Sequence, residues 1–197
     1  MAINRVSQSS IQQAFPKFNT AWDGVSAVGG MDALGVVPLT ATANDVTFSN
    51  IPQNYTHLQL RVFAKTGRTG ANYSNGYIQF NGITTTTYNY HTMEGDGRPY
   101  ISVGGEATVN GIYFARCAGI GSMNSNIFGF SIIDIADYTN TNKNKTTRTI
   151  HGYEACLGAS NISGIPSINS GLWRSTAAIT SLSILAITDP PFNVGTT

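Results

Sequence analysis

The residues that could support metal or acid–base chemistry are few and widely spaced. The three histidines, His57, His91 and His151, are dispersed over separate parts of the chain. A zinc site needs ligands that converge, usually with one close pair such as His-x-His, and no such pair occurs. We therefore expect structural or surface roles for all three histidines, and no metal or other cofactor.

Carboxylates give two further candidates. Glu94 and Asp96 lie in a glycine-rich stretch that suggests a calcium loop, but the regular acidic pattern of such loops does not follow. Asp134 and Asp137 lie on or beside one predicted strand, and glycoside hydrolysis uses paired carboxylates. We interpret these two instead as the end of a strand and its turn.

Motifs of other enzyme classes are incomplete. Residues 67–70 resemble part of a phosphate loop, but the Gly-Lys-Ser/Thr ending and the helix are missing. No Gly-x-Ser-x-Gly elbow follows a strand and opens a helix. Cys117 and Cys156 lack metal-ligand spacing and are predicted to be two small buried thiols, with a disulfide or a reactive site as alternatives. We therefore predict no catalytic residues and a chain that is not an enzyme.

Composition argues against two classes of partner. Charged residues make up 11% of the chain and the net charge is +1, whereas an electrostatic nucleic-acid binder needs clustered Lys and Arg. No apolar run reaches the roughly eighteen residues of a membrane helix. Met1 is not followed by the basic and apolar regions of a secretory signal. We expect a soluble protein that binds neither nucleic acid nor membrane.

Short β segments separated by turn signals fill the chain from residue 45 onward. Residues 126–135 and 146–153 are predicted to be an antiparallel pair joined by a polar loop. Residues 55–65 alternate as a half-exposed strand does, and residues 179–187 are predicted to be the closing strand. About eight to ten such strands with almost no helical period favour an all-β fold, an antiparallel β-sandwich of jelly-roll type. An immunoglobulin-like sandwich is the alternative.

Residues 1–44 have a different character. Residues 7–15 are predicted to form a short helix capped by Ser7 and ended by Pro16. Beyond it, large apolar side chains are spread thinly through a glycine-rich segment that cannot bury itself. We predict an extended N-terminal attachment arm over residues 1–44 and a β-sandwich domain over residues 45–197; the alternative is an ordinary strand and loop laid over its own domain. The predicted docking residues are Ile11, Phe15, Phe18 and Trp22.

Glycine-rich and polar stretches are predicted to be turns and loops. Gly104-Gly105 and Asn110-Gly111 are predicted turns. Residues 67–75, 94–99 and 158–171 are predicted surface loops. The last residues, 192–197, are predicted to form a tail that contacts a partner.

Several stretches between residues 45 and 188 carry a resemblance to a known family. They are residues 48–61, 80–82, 88–91, 132–138 with 142–143, and 171–176 with 178–180. This combination resembles a β-domain of virion structural proteins from tailed bacteriophages, especially phages of aquatic bacteria and cyanobacteria. Residues 6–24 are similar to the start of short members of the group. None of these stretches is a catalytic signature, so the resemblance implies a virion part and no activity.

The resemblance implies a location and partners. We expect a non-enzymatic virion protein, made in the host cytoplasm and placed on the exterior of the phage particle. A tail fibre or baseplate-associated component is favoured, as a homotrimer whose arm docks on other virion proteins and whose β-domain faces outward. A capsid decoration protein that stabilises the head is the alternative, and a particle-borne carbohydrate-active enzyme is a third hypothesis.

Host attachment would use the three predicted loops. They are candidates for contact with a host surface glycan or protein, with Tyr73 and Tyr100 as candidates for stacking on a sugar. Residues 188–191 replace the longer terminal strand of fibre-tip members, so the resemblance does not by itself imply host binding.

Overall fold

The computed structural model describes residues 31–96, 101–120, 126–156, 162–186 and 191–197. The chain divides into two compact units, Met1–Val36 and Val37–Thr197. In the first unit the described residues, 31–36, are exposed and form no helix or strand. The predicted helix over residues 7–15 lies outside the described residues, so the attachment arm stays a prediction. The same holds for its four docking residues, Ile11, Phe15, Phe18 and Trp22.

The described part of the second unit contains ten strands and no helix, which confirms the predicted all-β class. The strands are β1 (Asp45–Phe48), β2 (Leu58–Thr66), β3 (Tyr73–Phe80), β4 (Tyr88–Gly95), β5 (Ile101–Val109), β6 (Ile112–Gly119), β7 (Gly129–Ala136), β8 (Lys145–Cys156), β9 (Ile162–Trp173) and β10 (Leu182–Ala186).

These strands form one sheet in the order β1-β10-β3-β6-β2-β7-β8-β9-β4-β5. Every neighbouring pair is antiparallel except β2 and β6, whose parallel contact joins Lys65 to Ala118 and Thr66 to Gly119. β6 also packs against β8 and β9. These contacts show that the sheet folds over where β2 meets β6. Nδ2 of Asn169 on β9 donates a hydrogen bond to the Phe114 carbonyl on β6 at 2.9 Å. The two halves of the sheet thus face each other around β6.

The main core lies between these halves. Phe80, Tyr88 and Trp173 are buried there, and their rings are 5.6 to 6.3 Å apart. Aromatic pairs at such spacings add to the free energy of simple area burial. The core therefore depends on large rings contributed by β3, β4 and β9.

The predicted antiparallel pair is confirmed as β7 and β8. Ile133 and Ile135 of β7 are fully buried, whereas Asp134 between them is exposed, as the period of two requires. On β8 the inward side chains are Thr147, Thr149 and His151. This strand therefore buries polar groups in place of aliphatic ones.

Two predicted breaks in the sheet are wrong. Most of the loop predicted over residues 158–171 is strand β9, which pairs with both β8 and β4. Its inward positions are held by small or polar residues such as Ser167, Asn169 and Gly171. A Cβ on Gly171 would lie 2.3 Å from Ile112 Cγ2, so the close approach of β6 requires a residue without a side chain. The predicted turn at Gly104-Gly105 is also wrong, because both glycines lie inside β5.

Other predicted boundaries shift by a few residues. The closing strand is limited to β10 and pairs with β1 and β3. The predicted loop over residues 67–75 ends where β3 begins at Tyr73, and Glu94 and Gly95 belong to β4 instead of a loop.

The C-terminal segment packs within its own unit, contrary to the predicted tail. Phe192 is fully buried and Thr196 is buried. The Leu39 amide donates to the Thr196 carbonyl at 2.8 Å, and Phe63 and Thr197 exchange two backbone hydrogen bonds of 2.7 and 2.9 Å. Leu39, which the sequence places in the arm, is thus held against the segment that follows β10. These contacts tie both ends of the β unit together.

Candidate functional site

The structure gives the three histidines different surroundings. His57 is exposed, and its Nδ1 accepts a hydrogen bond from the Asp137 amide at 3.0 Å. His91 is exposed on β4, whereas His151 is buried on β8. Nowhere in the described residues do three or more His, Cys, Asp or Glu side chains gather as metal ligands would. The histidines are therefore not brought together.

The two carboxylates considered as a pair, Asp134 and Asp137, have different partners in the structure. Asp134 on β7 accepts a hydrogen bond from Gln59 Nε2 at 2.9 Å. Asp137 follows the strand in a turn with φ of 48°, where Lys143 Nζ lies 2.7 Å from its carboxylate. This is the strand and turn that the sequence predicts. Lys143 holds the pKa of the Asp137 carboxyl below its usual value, first through the hydrogen bond and then through its charge.

Of the two predicted ligand tyrosines, the structure describes Tyr73. The Tyr73 ring is half-buried at the start of β3, with the Arg116 guanidinium 4.2 Å from its centroid and the Tyr153 ring 6.4 Å away. The Arg116 guanidinium thus covers one face of the Tyr73 ring. Tyr100 lies outside the described residues, as does the side chain of Cys156. Cys117 is buried, as predicted.

A polar cleft of about 340 Å³ opens between the β4–β5 hairpin and β6. The tyrosines, acids, amide and guanidinium that line it include Asn75, Tyr90, Glu94, Glu106, Tyr113 and Arg116. Tyr90 and Glu106 are direct cross-strand partners on β4 and β5, which places both side chains on the cleft side of the hairpin. The cleft is thus a polar concave surface formed by these strands.

Glu94 is the centre of the cleft. Its side chain is 7% exposed, and Oε2 lies 2.6 Å from Nη2 of Arg116. Its other oxygen, Oε1, accepts a hydrogen bond of 2.7 Å from the Tyr113 hydroxyl. Both carboxylate oxygens are therefore engaged by donors from β6. A buried charge held in this way is compensated by its partners.

The same contacts change the titration of their neighbours. Burial, together with the bond to Glu94, raises the pKa of the Tyr113 hydroxyl far above its usual value. For Arg116, the hydrogen bond and the charge of Glu94 outweigh burial and raise the pKa of the guanidinium. Burial, with a smaller contribution from Glu106, raises the pKa of Tyr90. These groups keep one protonation state across the physiological range.

His151 lies behind this ion pair. Its Nε2 accepts a hydrogen bond from the Arg116 amide at 3.1 Å, while its Nδ1 has no partner among the described atoms. Burial, and to a lesser degree the charge of Arg116, lowers the pKa of this imidazole to about 4, although Glu94 opposes the shift. The ring is therefore neutral at physiological pH and supports the backbone that carries Arg116.

The groups that line the cleft differ in how far they are already engaged by other protein groups. A general acid or base must reach the proton that it transfers, but both carboxyl oxygens of Glu94 are already engaged by Arg116 and Tyr113. His151, the nearest base, uses its Nε2 on backbone. The cleft therefore presents hydrogen-bonding groups to a ligand. Glu106 and Asn75 lie at its exposed side.

A second surface lies on the opposite face of β4, β5, β7, β8 and β9. Five apolar residues are consecutive cross-strand partners there and form a row, which we call the outer row: Ile132, Ile150, Ile168, Met93 and Val103. Ile150 is 60% exposed, Ile168 49% and Val103 75%. A shallow depression of about 350 Å³ lies beside the row, next to His91 and Arg148. Apolar side chains thus face solvent where the same strands bury Thr149 and Asn169.

Neither surface is predicted by the sequence. Arg116 interrupts an otherwise apolar run from Ile112 to Ala118, and that single charge was the available signal for a buried ion pair. The outer row leaves no pattern in any one strand, because each strand contributes one residue. Of the cleft residues, only Glu94 was singled out, and for a different chemistry.

None of the described segments forms a helix with the length and apolar character needed to span a membrane. Comparison of the chain with protein-family models, with curated proteins and with solved structures found no match.

Proposed function

We propose that this chain is a non-enzymatic structural component of a tailed-bacteriophage virion, a tail fibre or baseplate-associated part. The observation that supports the proposal most directly is the outer row. Four of its five apolar side chains are exposed, on the adjacent strands β8, β9, β4 and β5, and such a patch marks a surface that contacts other proteins. The sequence resemblance supplies the kind of assembly.

In this proposal the β unit is an antiparallel sandwich of jelly-roll type on the particle exterior. Residues 1–44 dock on other virion proteins, and three copies associate. The cleft beside Glu94 is then the surface available to a host glycan or protein. A capsid decoration protein is the alternative within the same class, with the outer row against capsid subunits.

Particle composition tests the location. Purified virions are digested, and this chain is quantified by mass spectrometry against the major capsid protein and a tail protein. A copy number close to that of the tail protein supports the tail location, and one close to the capsid protein supports decoration. Absence of the chain from purified particles overturns the proposal.

Paired substitutions test the outer row. Ile168→Lys places a charge within the row, whereas Ser170→Lys places the same charge two residues away on the same face of β9. We expect Ile168→Lys to reduce incorporation into particles and Ser170→Lys to leave it unchanged, with both proteins folded. Equal incorporation of both variants would show that the row makes no contact in the particle.

Deletion of residues 1–24 tests the arm. The truncated chain should keep the thermal unfolding of the β unit and fail to enter particles. Normal incorporation would contradict docking through the arm.

A carbohydrate-active enzyme is the second candidate, because two carboxylates, Glu94 and Glu106, line one cleft. The engagement of both Glu94 oxygens argues against it. Incubation of the purified chain with host polysaccharide distinguishes the two, since depolymerisation that is lost in Glu106→Gln would establish the enzyme.

A further inference from the structure

The edge of the sheet at β5 is open. This nine-residue strand pairs with β4, and no other strand of the described residues pairs with it. Its residues from Ile101 to Thr108 are all exposed. The opposite edge strand, β1, has only four residues and carries Asp45. Long edge strands present unpaired backbone groups that another strand can bond.

β5 lacks most of the usual protections of an edge, although a bulge at Thr108, where φ is 60°, interrupts the strand near its end. It contains no proline, lysine or arginine, and its single charge is Glu106. On the outer face its side chains are apolar or absent, and Val103 is the last residue of the outer row. Proteins that keep an edge unpaired commonly place a lysine or a proline there. The edge is therefore suited to pairing.

The two central glycines have different explanations. A Cβ on Gly105 would lie 2.6 Å from the His91 ring and 2.8 Å from the Tyr90 carbonyl, so the fold itself requires glycine there. A Cβ on Gly104 would meet only Thr92 Cγ2, at an ordinary 3.7 Å. The fold thus gives no reason for glycine at position 104. A glycine inside a strand also marks a place where another backbone approaches closely.

We propose that β5 pairs in an antiparallel manner with β5 of a second copy of this chain, about a two-fold axis at Gly104. An antiparallel strand pair is the arrangement that one strand makes with itself about such an axis. The contact differs from the three-fold contact of the proposed trimer and does not depend on a virion role.

The register about Gly104 is self-complementary. On the outer face, Ile101 lies opposite Ala107 and Val103 lies opposite Gly105, so each large side chain meets a small one. On the inner face Glu106 lies opposite Ser102, whose hydroxyl can donate to the carboxylate. No two like charges lie directly opposite each other in this register. Such pairs would destabilise the contact between the strands. A different partner protein would have to reproduce this match, whereas a second copy supplies it by symmetry.

Sedimentation velocity of the full chain tests the pairing. Wild type is expected to form species with an even number of subunits. Val103→Lys should halve their mass, or weaken self-association by roughly tenfold or more, because lysine on an edge blocks strand addition. Met93→Lys is the matched control, since Met93 is the direct partner of Val103 in the same row but lies one strand from the edge. It should sediment as wild type. A monomeric wild type, or equal masses for wild type and Val103→Lys, overturns the proposal.

Cross-linking tests the register. Gly104→Cys should form a covalent dimer under mild oxidation, because residue 104 of each copy lies next to the axis. Ser170→Cys, exposed on β9, and wild type should not form it. Cross-linking of Gly104→Cys no faster than that of Ser170→Cys would exclude the two-fold contact at Gly104.

Discussion

Nε2 of His151 lies 3.1 Å from the backbone nitrogen of Arg116, so a neutral imidazole supports the strand that carries the buried partner of Glu94. The hydrogen bond needs an unprotonated Nε2, because the Arg116 amide is the donor. Histidine and ion pair therefore form one buried polar unit across β4, β6 and β8. Its stability should depend on pH and on each of its charges.

Acid should destabilise the β unit through His151. Its pKa is about 4 in the folded state, below the ordinary value of 6.5, so the unfolded chain binds the proton more readily between these values. The contribution is fully present above about pH 6.5 and decreases as pH falls towards 4, by up to about 3 kcal/mol. Urea unfolding from pH 7.5 to pH 4.5 measures it. His151→Gln should flatten this dependence relative to wild type, and His91→Gln, on the exposed face of β4, should not. Parallel curves for wild type and His151→Gln would contradict the assignment.

Removal of the Glu94 charge should destabilise the fold. Glu94→Gln keeps the size of the side chain but leaves the Arg116 guanidinium without its counter-charge. Loss of one partner from a buried pair costs about 3 to 5 kcal/mol, and the 25% exposure of Arg116 reduces this to about 2 to 4 kcal/mol. Asp137→Asn removes an exposed ion pair with Lys143 and should leave the unfolding midpoint unchanged. An equally small effect of both changes would mean that water screens Arg116 fully.

Trp173 should be a major contributor to stability. Its side chain is 2% exposed and stacks on Tyr88 at a centroid distance of 6.2 Å. Trp173→Ala should lower the free energy of unfolding by about 3 to 5 kcal/mol. Val194→Ala, at a side chain 56% exposed, should change it by less than about 0.5 kcal/mol. A loss below about 1 kcal/mol for Trp173→Ala would show that the core collapses around the missing ring.

Gly171 should tolerate no side chain. A Cβ there would lie 2.3 Å from Ile112 Cγ2 and 2.5 Å from Thr147 Oγ1, so the two halves of the sheet would have to separate. Gly171→Ala should destabilise by about 1 to 3 kcal/mol. Gly95→Ala, also in a strand but with no atom within 4 Å of its Cβ, is the control and should change stability by less than about 0.5 kcal/mol. Thermal unfolding of both variants provides the measurement.

The strands that could be predicted from the sequence are those with short apolar runs or with β-branched residues in clear alternation, such as β7 and β8. β7 was evident from Ile133 and Ile135. β9 was not, because Ser167 and Asn169 hold its inward positions and give this segment the polar composition of a loop. Period-two reasoning assigns the apolar side to the core, and in the middle of β8 and β9 that assignment is reversed, because Ile150 and Ile168 are exposed while Thr149 and Asn169 are buried.

The cleft could not be predicted, for a different reason. Glu94, Arg116 and His151 come from three strands that are adjacent only after the sheet folds over. No spacing along the chain encodes their meeting. The outer row has the same origin, because it runs across strands and not along them.

The position of β10 has a consequence for synthesis on the ribosome. It is the tenth strand to emerge, yet it lies between β1 and β3, and the residues that follow it hydrogen-bond to Leu39 and Phe63. Until β10 has left the exit tunnel, β1 has no neighbour and one side of β3 is bare. Nascent chains of this protein therefore need their final segment before the sheet can close, and during that interval the bare strands of different chains are able to pair with one another.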